Sequence, residues 1–356
     1  MIKTNFQADS LPALIGSLPM DDHVEAVKLM MEYTPEIPLW VQLPVFKQEG
    51  MMAQFLPGMP GLTVEKDKTY INTSGETFEA DVLKFYEDYL AITQGMADLS
   101  KSRFALTPDT ARGFFELMKS LKSLSHPPVA VKGQITGPFT FGTGVVDQNG
   151  RAIFYNEQLK DIAIKLIAMK ARWQIRQLSS LGCPVILFFD EPGLTGFGSS
   201  AFISISQKEV ENCLQETIDA VHAEGGLAGV HICANAEWSL LLESSLDIVS
   251  FDAYSFFDKF MLYPDQIKKF IQRGGILAWG IVPTSNSEDV AKETADSLLS
   301  KWERQAAQIE ALGIDRAQLK ARTLITPSCG TGSLPLDSAK KVLNLTKELS
   351  ERIRNK

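Results

Sequence analysis

Cysteine and histidine are both scarce in this chain, with four of each among 356 residues. The cysteines, at 183, 213, 233 and 329, lie too far apart for the disulfide framework of a small secreted domain. Long apolar runs are missing too. None approaches the roughly 18 residues that a membrane-spanning helix requires. Basic charge is not in excess: 35 Lys and Arg stand against 43 Asp and Glu, a formal net charge of −8. That balance argues against a general nucleic-acid binder, whose surface is normally basic. The opening residues Met1 to Phe6 lack the apolar stretch and small-residue cleavage site of a signal peptide, so a cytoplasmic location is expected, with neither nucleic acid nor membrane as partner. No low-complexity tract and no repeat with a period of 20–50 residues is visible.

What is present is an ordinary globular composition, 45% hydrophobic and 22% charged. A simple length count suggests two domains, but α/β barrels often reach this size as one. The chain repeats a pattern of amphipathic helix, glycine stop, short apolar strand and polar loop. Ser206 and Glu209 make a capping-box pattern ahead of an apolar face formed by Val210, Cys213, Leu214, Thr217, Ile218 and Val221. Gly225-Gly226 ends that helix, and Leu227 to Cys233 follows as a strand. Similar stops fall at Gly182 and at Gly274-Gly275. Strands that are apolar throughout suit a parallel sheet buried on both faces. Eight are predicted: Ala13–Ser17, Ile37–Gln42, Val129–Thr136, Val185–Asp190, Leu227–Cys233, Ile248–Tyr254, Ile276–Val282 and Leu324–Cys329. The alternation predicts one (β/α)₈ TIM barrel over residues 1–356. A Met/Gly/Pro-rich excursion over residues 46–78 would cover the barrel mouth, and residues 137–148 form a second, glycine-rich loop.

In such a barrel the chemistry sits at the carboxyl ends of the strands. His231 and Cys233 are two apart on one strand, so their side chains point the same way and can converge on one metal ion. Taken alone, His-x-Cys is a weak signal. Cys329 ends the last predicted strand in a polar setting, and barrel closure would bring it to the same mouth. An imidazole and two thiolates suit zinc. Cys213, on an apolar helix face, and Cys183, before a buried strand, read instead as core residues. His23, His126 and His222 read as surface or loop residues. Asp252 could be a carboxylate ligand, a partner orienting His231, or simply a cap. Asp190 and Glu191, adjacent at a strand end, could bind a substrate ammonium group or act as acid or base, or anchor a loop. Trp40 and Trp279 read as packing.

The ordered set Ile15-Gly16-Ser17-Leu18-Pro19, Thr136-Gly137-Pro138, Asp190-Glu191-Pro192, His231-Ile232-Cys233 and Pro327-Ser328-Cys329-Gly330 resembles the catalytic barrel of cobalamin-independent methionine synthase. That family belongs to the superfamily that also holds uroporphyrinogen decarboxylase. The likeness runs from about Leu14 to the C-terminus. It implies a zinc ion held by His231, Cys233 and Cys329 that takes the sulfur of homocysteine. The family's glutamate ligand falls on Asp252, one methylene shorter. The family's Asp of Asp-Glu-Pro and Ser of Ile-Gly-Ser contact the amino acid, which implies Asp190 and Ser17. A second family glutamate is absent, and Gln42 stands near its place.

The folate-dependent enzymes carry an additional N-terminal barrel, for which this chain has no room. Their Asp-x-His-Ser-Pro motif, whose histidine resembles a proton donor to the folate leaving group, is replaced by Ile281-Val282-Pro283-Thr284-Ser285. The chain therefore resembles the short, core-type synthases that take methyl from a methyl-corrinoid, free or on a partner protein. Alternatives are a methylcobamide:coenzyme M-type methyltransferase, a uroporphyrinogen decarboxylase-like enzyme, and a barrel that only stores a thiol or corrinoid. A sulfonate acceptor would give Asp190 little use. A decarboxylase would need arginines near Leu18-Pro19-Met20-Asp21-Asp22, where there are none.

Overall fold

A computed structural model describes residues 6–66 and 68–356; the rest of the N-terminal segment read above for a signal lies outside them. A short antiparallel hairpin, β1 (Leu62–Glu65) and β2 (Lys68–Ile71), precedes six parallel strands in sequential order. These are β3 (Val131–Thr136), β4 (Val185–Asp190), β5 (Leu227–Ile232), β6 (Ile248–Phe251), β7 (Ile276–Val282) and β8 (Thr323–Pro327). Helices between them bury one face against the sheet. The helix Gln207–Ala223 starts on Ser206 with the predicted capping box closed by Glu209, and it buries all six apolar-face residues named above. Gly182, Gly225 and Gly274 all have positive φ, the conformation that glycine adopts most easily at a helix stop. No helix among the described residues is long and apolar enough to cross a membrane.

The sheet corrects the expected closed eight-stranded barrel. It is a half-barrel of six strands, and the predicted first two strands are irregular segments that make isolated bridges only. Pro12 bridges Ile325 of β8, Ser17 bridges Gln42, and Leu39 bridges Lys132 of β3. Proline limits two of these bridges, each on one side. Ala130 N donates to Glu36 O, but the return bond of that pair would need the N–H of residue 38, a proline. Extending the Ser17–Gln42 pair forward would likewise need the missing N–H of Pro44.

Residues 46–78 run through two short turns and the β1–β2 hairpin. The segment is tied to the end of β3, because Thr136 Oγ1 donates to Met51 O at 2.6 Å. Its start is fixed by a pair that the sequence did not suggest. His23 is buried rather than superficial, with Nε2 2.6 Å from Glu49 Oε1 and its ring stacked on Phe46.

Candidate metal and substrate site

Strand register builds the site. Thr136, Asp190, His231 and Ser250 pair in sequence across β3, β4, β5 and β6, and so lie in one layer on one face of the sheet. Cys233 follows β5 by one residue. Cys329 follows β8 by two and reaches the same place from the far end of the sheet. The donor atoms of His231, Cys233 and Cys329 all lie within 4.8 Å of one another. His231 is buried, and its Nδ1 shares a 2.9 Å hydrogen bond with Ser250 Oγ. Its Nε2 is shut off from solvent with no hydrogen-bond partner. An unpartnered buried nitrogen is costly, and a metal at Nε2 would satisfy it while Nδ1–H donates to Ser250.

A cation would also suit the two thiols. The Cys233 thiol ionises more easily than usual because the neighbouring Cys329 thiol and His231 ring favour its charged form. The same contact with Cys233, together with burial, drives the Cys329 thiol far above its ordinary range. Two adjacent thiolates cannot both form cheaply without a positive charge between them. Two soft sulfurs and a free imidazole nitrogen form a donor set that fits zinc.

Asp252 does not join that cluster. Its Oδ1 accepts from Ser255 N at 2.8 Å, so it caps the turn after β6, and burial raises its pKa. The group orienting His231 is Ser250, which sequence reasoning missed. A lone serine in the apolar run Ile248-Val249-Ser250-Phe251 was the available signal.

Asp190 is at the site. Its Oδ1 is buried without a partner, and its pKa is pushed up to about 6 by burial, against the pull of His231 and Lys132. Its neighbour Glu191 points elsewhere. The buried Glu191 carboxylate accepts from Phe139 N (2.9 Å), Thr140 N (2.8 Å) and Thr140 Oγ1 (2.5 Å), anchoring the turn after β3. A Cβ on Gly137 would sit 2.2 Å from that carboxylate, which explains the glycine. Burial raises the Glu191 pKa to about 7 despite these donors.

Ser17 holds the loop behind Cys329. Thr331 N donates to Ser17 O at 3.0 Å, and Gly332 N to Ser17 Oγ at 3.2 Å. Gln42 Nε2 donates to Gln54 Oε1 at 2.6 Å, so that side chain is tied to the 46–78 excursion. Trp40 and Trp279 are buried and donate to Gln174 and Gln305, both on helices. The remaining cysteines stand apart, Cys213 buried on its helix and Cys183 half-buried.

Lys132 was also missed. It lies fully buried on β3, and the signal was a polar residue at every second position, Lys132, Gln134 and Thr136, in a strand expected to be apolar on both faces. Beyond the strand ends, an open cavity of about 600 Å³ is lined by Pro19, Met20, Asp21, Pro44, Val45, Gly332 and Leu336. Comparison of the chain with protein-family models finds no family that matches it. Comparison with curated proteins likewise finds no match.

Proposed function

We propose that this protein is a zinc-dependent methyltransferase that moves a methyl group from a methyl-corrinoid to the sulfur of homocysteine, giving methionine. The observation that carries the reading is the meeting of His231, Cys233 and Cys329 within 4.8 Å beside an aspartate with an unpaired buried oxygen. His231 through Nε2 and the two cysteine sulfurs would hold the zinc. When bound, zinc supplies the Lewis acidity that keeps a substrate thiol deprotonated at neutral pH, where a free thiol with pKa near 8.5 is mostly protonated.

The chain's own residues supply orientation. Asp190 Oδ1 accepts a hydrogen bond from the acceptor's ammonium group. Ser17 Oγ, which accepts from Gly332 N, keeps its own proton to donate to the amino-acid portion. Together they fix the acceptor for in-line attack on the methyl group. Ser250 keeps the His231 ring from turning.

The donor follows from what the strand ends lack. Of the four histidines, His23 pairs with Glu49, His222 pairs with Asp247, and His126 is exposed. That leaves only His231 at the strand ends, and it belongs to the metal set. Pro283 stands where the family's histidine would, and its neighbour Thr284 is engaged through Oγ1 with Ser328 Oγ at 2.9 Å. A folate nitrogen leaves poorly without such a donor, whose help is typically worth about 10²–10⁴-fold. A departing cob(I)alamin needs no proton.

The test is single-turnover methyl transfer by the zinc-loaded protein, from methylcobalamin and from methyltetrahydrofolate, to homocysteine and to coenzyme M. Methionine should form fastest from methylcobalamin. No zinc-dependent transfer, or preference for coenzyme M, would overturn the assignment.

A further inference from the structure

Lys132 is an expensive residue to keep. Its side chain is 1% exposed, and an ammonium group moved from water to such a place loses hydration that its partners must replace. Those partners are few. Lys132 Nζ donates to Ile15 O at 2.7 Å and lies 3.5 Å from Gln134 Oε1. It also sits 4.5 Å from the centre of the Phe188 ring. Lys132 lies on the same face of the sheet as Asp190, four register steps before the Thr136–Asp190 pair, and the Asp190 charge opposes the effect of burial on this lysine.

Two of these partners, Ile15 and Asp190, lead to the acceptor site. Ile15 is two residues before Ser17, on a segment with no ladder to hold it. Ser17 in turn clasps Thr331 and Gly332. The clasp has no slack, because a Cβ on Gly330 would lie 2.2 Å from Ser17 Oγ. A shift of the Ile15 carbonyl would therefore pass through Ser17 to the loop directly behind Cys329.

We infer that Lys132 is a positioning residue for the acceptor: its ammonium group fixes the Ile15–Ser17 segment, and its charge balances Asp190, favouring an amino-acid thiol over a neutral one. The inference rests on the acceptor assignment made above. It accounts for a cation that an apolar side chain of similar length would replace if packing were its only task.

Two zinc-loaded variants, Lys132→Met and Lys132→Gln, test it against the wild type by amide hydrogen exchange and by steady-state turnover. Glutamine can still donate to Ile15 O, whereas methionine cannot. The methionine variant should exchange faster at Leu18, Thr331 and Gly332, the amides held by or beside Ser17. Both variants should raise KM for homocysteine about tenfold or more, the scale of one charge-assisted hydrogen bond, while kcat changes much less. KM for 2-mercaptoethanol should stay as it was. Wild-type exchange in the methionine variant would overturn the positioning role, and equal losses for both thiols would overturn the role in selectivity. Should the methionine variant not fold, an unchanged homocysteine KM in the glutamine variant overturns the charge role. A wild type that turns over neither thiol would instead defeat the acceptor assignment, with the exchange comparison still deciding what Lys132 holds in place.

Discussion

Replacing Cys329 with serine tests the metal centre most directly. The substitution removes one of three donor atoms gathered within 4.8 Å and leaves a hydroxyl that stays protonated at neutral pH. Structural zinc sites bind with about 10–16 kcal/mol. Shared over three donors, one thiolate accounts for on the order of 3–5 kcal/mol, or about 10²–10⁴ in affinity. Ser250→Ala keeps every donor but frees His231 Nδ1 from its 2.9 Å bond. Loss of such an outer partner typically lowers metal affinity about 10- to 100-fold, so the two variants should rank in that order. Cys213→Ser and Cys183→Ser should bind zinc like the wild type, since neither sulfur is in the cluster. The assay is competition for zinc against a chromophoric chelator, with metal content measured after dialysis. A Cys329→Ser protein that keeps wild-type zinc through that dialysis would refute the site.

Asp190→Asn should weaken homocysteine by about 1.5–3 kcal/mol, roughly ten- to a hundredfold, and leave a thiol without an amine nearly unaffected; equal weakening of both would count against the ammonium contact. Glu191→Ala strands the buried Phe139 and Thr140 amides at about 1–3 kcal/mol each, so urea unfolding should show a loss of about 2–6 kcal/mol, and an unchanged midpoint would contradict the anchoring role. His222 has its pKa raised by its hydrogen bond to Asp247. Its contribution is therefore fully present below pH 6.5 and fades as pH rises through the raised value. Asp247→Asn should accordingly destabilise more at pH 5.5 than at pH 9, and an equal loss at both would show that the Asp247 bond to Ala228 N carries the effect.

The sequence by itself determined what depends on local periodicity. His231 and Cys233 share a face because a strand repeats every two residues. The helix Gln207–Ala223 starts on its capping box because Ser206 and Glu209 satisfy each other's backbone N–H groups. The six apolar runs from residue 129 onward became β3 to β8, within two residues at their starts. Ends differed more: β6 and β8 stop before the polar residues that were counted with them.

Tertiary structure decided the rest, because it turned on partners far away in the chain. Ala13–Ser17 and Ile37–Gln42 read as strands, yet prolines remove the N–H groups that a ladder needs at Pro38 and Pro44, and both segments make isolated bridges only. Adjacent carboxylates at 190 and 191 look equivalent in sequence. Strand alternation sends one to the metal layer and the other to amides 51 and 52 residues away. The Lys132 ammonium reaches a carbonyl 117 positions distant. A buried charge is tolerated only where such a partner waits, and no periodicity within the strand records where that partner will be.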